Sequence, residues 1–97
     1  MKEIIYKGKK VKVPFEDANY VLDGDKDIEL QNPFSKQKAT VPGYAAAVYD
    51  VTMGSNHLAE SYDAKHGTGT APAWNDVRKG LDWFRRYFAK EYMVLLD

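Results

Sequence analysis

The sequence has no cysteine, which removes disulfides, thiolate catalysis and cysteine-ligated zinc. It has only two histidines, His57 and His66, both in a polar stretch. With no Gly-x-Ser-x-Gly turn, a Ser-His-Asp arrangement lacks support. No Gly-rich loop carries the lysine of a P-loop, and no strand–loop–helix dinucleotide fingerprint occurs. Apolar runs stay well short of the roughly 18 residues of a transmembrane helix. In the opening MKEIIYKGKK the lysine-rich part follows a short apolar stretch, unlike the order in a signal peptide. A cytosolic protein is the expectation. Net charge is also missing, since fourteen basic residues balance fourteen acidic ones. A duplex-DNA binder that relies on phosphate neutralisation carries a basic excess, which the chain as a whole does not have.

What is present is a 97-residue chain that is 44% hydrophobic and 13% aromatic, a composition for one folded domain. A chain of this length buries roughly 60–65% of its unfolded surface, enough for a core without staples. The charge is segregated. Residues 1–13 hold five lysines against one glutamate, and residues 14–31 hold six acids against one lysine. Residues 64–97 hold six bases against four acids.

The first forty residues read as strands. KEIIY and KVKVP flank a Gly-centred turn, giving a hairpin from residues 2–6 and 10–14. ANYVL and DIELQ flank DGDK, giving a second from residues 18–22 and 27–31. Asn32 before Pro33 starts an Asx turn, after which residues 38–41 fold back as a further strand. From Pro42 the period changes. Tyr44, Val48, Val51, Ser55, Leu58 and Tyr62 recur at steps of three and four, predicting a helix over 42–62 with a suspected bend at Gly54. Residues 63–72 read as a flexible Gly-rich loop, with Thr70 or Asn75 as a cap for the next helix. Trp74, Val77, Leu81, Phe84, Phe88, Tyr92 and Leu95 then mark one helix over 73–96.

The expected fold is therefore α+β, an antiparallel β-meander of about four or five strands followed by two α-helices in one domain, 1–97. The expected core is Ile4, Val11, Val13, Tyr20, Val21, Ile28, Leu30, Val41, Val48, Val51, Leu58, Val77, Leu81, Phe84, Phe88 and Leu95.

Two clusters resemble cation sites and fall short. Asp23, Asp25 and Asp27 occupy positions 1, 3 and 5 of an EF-hand-like loop, but Ile28 stands where glycine makes the sharp turn and Phe34 where a bidentate glutamate binds. A solvated turn is expected there. His57, Glu60, Asp63 and His66 lie three apart, and a helix rotates about 300° per three residues, so only neighbours such as His57 and Glu60 share a face. No catalytic residue, metal or cofactor is expected, and the protein reads as a non-enzyme.

The closing stretch VRKGLDWFRRYFAKEYMVLLD interleaves bases and aromatics. Helical spacing sorts Lys79, Trp83, Arg86, Tyr87 and Lys90 onto a second stripe, which is the candidate partner-binding site. Asp82 lies four residues from both Arg78 and Arg86, so ion pairs account for part of the charge. The stripe either packs inward beneath Arg and Lys stems or meets a partner, because Trp, Tyr and Arg dominate interface hot spots and also stack on bases. Seven tyrosines and two tryptophans are many for one small core, which favours exposure of some of them.

Two segments resemble small proteins of tailed bacteriophages. One is VPFEDANYVLDGDKDIEL, with its A-N-Y-V strand and Asp-Gly turn. The other runs from NPFSKQKATVPGYAAAVYDVTMG to VRKGLDWFRRYFAKEYMVLLD, with an Asn-Pro turn, an A-V-Y-D helix and a closing Y-M-x-L-L-D. The resemblance carries no catalytic residue over. It implies a phage protein in the host cytoplasm or the virion, acting by protein–protein interaction as a host-factor binder or a minor virion or assembly component. Its partner would be another protein or a second copy. The alternative is a nucleic-acid-binding protein that uses the basic-aromatic face of the last helix, with the Lys7–Lys12 hairpin tip beside it. No membrane partner is expected.

Overall fold

The computed structural model describes residues 2–15 and 26–96. Two β-hairpins precede three helices, an α+β arrangement. Strands β1 (Lys2–Tyr6) and β2 (Lys9–Val13) pair antiparallel, with Ile4 opposite Val11 and Tyr6 opposite Lys9. Their loop is only Lys7 and Gly8, with φ of 49° and 79°. Positive φ at both positions is the pattern of a type I′ loop, whose twist matches its strands, and it suits the glycine.

Strands β3 (Asp27–Gln31) and β4 (Lys38–Pro42) form the second hairpin, with Ile28 opposite Val41 and Gln31 opposite Lys38. The strand expected over 18–22 lies outside the described residues. So do Tyr20, Val21, Asp23 and Asp25. Among the described residues the strands make two separate two-stranded sheets rather than one meander. The first hairpin meets the rest of the protein through side chains instead of a backbone ladder. Tyr6 stacks edge-on against Tyr44 with ring centroids 4.8 Å apart.

Helix α1 (Gly43–His66) starts directly after Pro42 and passes Gly54 without interruption. Gly54 is exposed and a Cβ there meets open space, so no close approach demands it. The buried face of α1 is Ala45, Val48, Thr52, Ser55 and Ala59. The stripe expected from large apolar residues is therefore rotated, and Leu58 is 65% exposed rather than core. Small residues win this face because a second helix crosses it closely. A Cβ placed on Gly80 would overlap Thr52 Oγ1 and lie 2.8 Å from Thr52 Cβ. The Thr52 hydroxyl turns back to donate to the Val48 carbonyl at 2.7 Å, which satisfies it inside the core.

The single closing helix expected over 73–96 is two, α2 (Trp74–Tyr87) and α3 (Ala89–Leu95). Phe88 separates them in a non-helical conformation, φ −138° and ψ 58°. Its amide still donates to the Phe84 carbonyl at 2.7 Å and its carbonyl accepts from Tyr92 at 2.8 Å, so the chain turns with few lost bonds. The turn carries Leu95 into the core beside Val13, Val41, Val48 and Phe84. Ile4, Val11, Ile28, Leu30, Val51 and Phe88 pack half-buried around it.

Candidate functional site

Of the five residues on the second stripe of α2 and its extension, four are exposed: Lys79, Arg86, Tyr87 and Lys90. Trp83 is not. It is 3% exposed, in correction of its place on a binding face. The reason is local. Its indole N–H donates to the Lys12 carbonyl at 2.7 Å, and its ring lies 5.3 Å from Phe84 and 5.4 Å from Phe88. Amphipathic Trp is suited to this position, since the ring fills the core while the N–H meets a strand carbonyl.

Burial of Trp83 brings the first hairpin onto α2. A row of rings then runs from Tyr6 through Tyr44 and Trp83 to Tyr87, with centroid separations of 4.8, 6.1 and 5.6 Å. Each end bears a cation. Lys7 Nζ sits 5.3 Å from the Tyr6 centroid, and the Arg86 guanidinium 5.7 Å from the Tyr87 centroid. Tyr6 and Tyr44 are half-buried and Tyr87 is 44% exposed, so the row surfaces on α2. Burial pushes the Tyr44 hydroxyl above its ordinary pKa, with a smaller push from Tyr6, so it stays neutral well past neutral pH. Asp82 pairs with Arg85 and not with Arg78 or Arg86.

The other side of α2 faces an open apolar cleft of about 260 Å³. Val77, Leu81, Met53, Leu95 and Leu96 line it, and the Asn32–Phe34 turn forms its rim. Leu81 and Trp83 lie about 200° apart around the helix, so cleft and ring row open on different sides. Asn32 is buried and fixes the rim. Its Oδ1 accepts the Phe34 amide at 2.8 Å, as an Asx turn requires, and its Nδ2 donates to the Val94 carbonyl at 3.0 Å. The Phe34 ring is left 91% exposed at the cleft's edge, and Met93 is 68% exposed.

The loop after α1 is organised rather than loose. The Asp63 carboxylate accepts the amides of Gly69 (2.8 Å) and Ala71 (3.0 Å) and the Trp74 indole N–H (2.8 Å). Neither expected cap is used: α2 starts at Trp74 after Ala73 with no side-chain cap bond, and the amides of Trp74, Asn75 and Asp76 donate to the Ala71, Pro72 and Ala73 carbonyls. Thr70 donates instead to the Gly67 carbonyl, and Asn75 accepts from Arg78. Desolvation pushes the Asp63 carboxyl up, but the N–H groups of Gly69, Trp74, Ala71 and Thr70 outweigh it and hold the pKa below the ordinary value. Because the folded pKa is depressed, this stabilisation is present above the unfolded pKa and is lost as pH falls through the folded one. Asp63→Ala is expected to speed amide hydrogen exchange at Gly69 and Ala71 severalfold at neutral pH. Unchanged protection there would show that the loop holds itself.

That role takes Asp63 away from any ligand set. His57 is exposed, Glu60 accepts from Asn56 at 3.3 Å, and His66 stacks on Tyr62 with centroids 4.3 Å apart. Among the described residues no three His, Asp or Glu side chains converge on a metal position. Helical spacing groups Lys79, Arg86, Tyr87 and Lys90 on one stripe; all four are exposed, but Lys90 lies past the Phe88 break on α3. Sequence reading missed Tyr6 and Tyr44, which only the docking of the hairpin aligns, and it treated Phe34 as part of a turn. The signal for Asp63 was an acid followed at short range by Gly-Thr-Gly-Thr, a segment rich in amides and poor in side chains to satisfy them. No family model, curated protein or solved structure matches this chain.

Proposed function

We propose that this chain is a non-enzymatic binding protein that acts by contact with a protein partner, either another protein or a second copy of itself. The observation that carries the reading is Phe34. A phenylalanine ring 91% exposed, held by a buried asparagine at the rim of an apolar cleft, is a large apolar group that the fold does not use for its own core. Exposed aromatics beside apolar recesses are what interface anchors look like before a partner covers them. The resemblance to small tailed-phage proteins supports a host factor or a virion component as that partner, met in the host cytoplasm.

Phe34→Asp tests this directly. Stability should stay within about 0.5 kcal/mol, because the ring supports nothing in the fold. Self-association seen by light scattering, or capture of a specific host protein, should weaken by tenfold or more. A chain that is monomeric at high concentration, and that captures the same proteins with and without Phe34, would contradict the proposal.

A further inference from the structure

We propose that the seam between the first hairpin and α2 binds single-stranded nucleic acid, independently of the Phe34 cleft. The basis is a juxtaposition of two segments about seventy residues apart in sequence. The Trp83 indole holds the Lys12 carbonyl at 2.7 Å, which lays a lysine-rich hairpin on α2, the helix that carries Lys79 and Arg86, with Lys90 just past the Phe88 break on α3. Lys10 and Lys12 alternate with inward residues on β2, so they share the hairpin's outer face, where Glu3 is the acid opposite Lys12. Lys7 stands at the tip over Tyr6. Among the described residues none of these six cations pairs with a carboxylate. In a chain of zero net charge, the Trp83–Lys12 contact thus brings the three hairpin lysines to the helical segment that holds the other three cations.

The aromatic content of the seam selects the partner. A duplex hides its base faces, and an acidic peptide has none. Tyr87 presents a half-exposed ring beside the Arg86 guanidinium, and a splayed base stacks on such a pair while its phosphates meet the flanking lysines. The number of cations also fits a short strand. Neutralising about four or five phosphates of a single strand gives a slope of log affinity against log salt of roughly −3.

The test is fluorescence anisotropy with a labelled oligothymidylate of about 16 nucleotides, a duplex of equal length and a polyglutamate peptide. At low salt the single strand should bind, with duplex and peptide each at least about tenfold weaker. Tyr87→Ala should weaken the single strand roughly tenfold. Lys12→Glu, which leaves the carbonyl in place, should flatten the salt slope. Phe34→Asp should change none of this, which separates the seam from the protein-docking cleft. Circular dichroism confirms that each variant is folded. The proposal is overturned by no binding at low salt, by duplex or polyglutamate binding as tight as the single strand, or by a folded Tyr87→Ala protein with unchanged affinity.

Discussion

Trp83→Ala is expected to lower the free energy of unfolding by about 3–5 kcal/mol, the range for emptying a well-packed aromatic site. The ring touches four others, Tyr44, Phe84, Tyr87 and Phe88, and lies at the only described hydrogen bond between the first hairpin and α2. Trp83→Phe separates packing from that bond. It keeps most of the ring and deletes the N–H, leaving the Lys12 carbonyl without its indole donor. A loss of about 1 kcal/mol follows, since the bond is only part-buried and water reaches the carbonyl. Denaturant unfolding of the two variants, read by far-ultraviolet circular dichroism, gives both values. If alanine cost no more than phenylalanine, the ring would not be in the core.

The second large effect is at Gly80. Alanine in place of glycine in a helix ordinarily stabilises by about 1 kcal/mol. At Gly80 the sign reverses, because the new methyl overlaps the Thr52 side chain and two packed helices would have to separate. Overpacking of this kind costs about 1–3 kcal/mol, and more when the neighbour cannot rotate away. Thr52 is held by its bond to the Val48 carbonyl, so a net loss of about 2–3 kcal/mol is expected. Gly54→Ala is the internal control. Its Cβ meets open space, so it should gain up to about 1 kcal/mol. Thr52→Gly combined with Gly80→Ala should recover part of the loss, and strict additivity of the two would show that they do not touch.

These two positions also show what the sequence made legible. Both described hairpins, the start of α1 and the stripe from Val77 to Phe88 follow from turn residues and apolar spacing, because each has a local cause. The face of α1 was harder. Periodicity favours the largest apolar residues, Val51, Leu58 and Tyr62, whereas the helix crossing selects small ones, Thr52, Ser55 and Ala59. Close approach is a property of two helices together, and Gly80 lies nearly thirty residues from Thr52. The break at Phe88 carries no proline or glycine to announce it. Beyond it, Leu95 is buried in the core.

The candidate site divides the same way. Lys79, Arg86 and Tyr87 were legible as exposed positions of α2 because helical spacing alone groups them, whereas Lys90, also exposed, lies beyond the break on α3. Trp83 belongs to that spacing too, yet its fate depended on a strand placed seventy residues earlier. Once the indole is satisfied by Lys12, the residue leaves the surface and becomes the joint beneath it. The same event aligns Tyr6 and Tyr44 with Tyr87, which no local pattern foretells.

That joint is the centre of the account, and it is directly observable in solution. In a nuclear magnetic resonance experiment the Trp83 indole proton should show cross-peaks to Lys12 and Val13, and should exchange with solvent far more slowly than a free indole. A rapidly exchanging Trp83 indole with no cross-peak to β2 would mean that the hairpin does not rest on α2, and the seam would not exist.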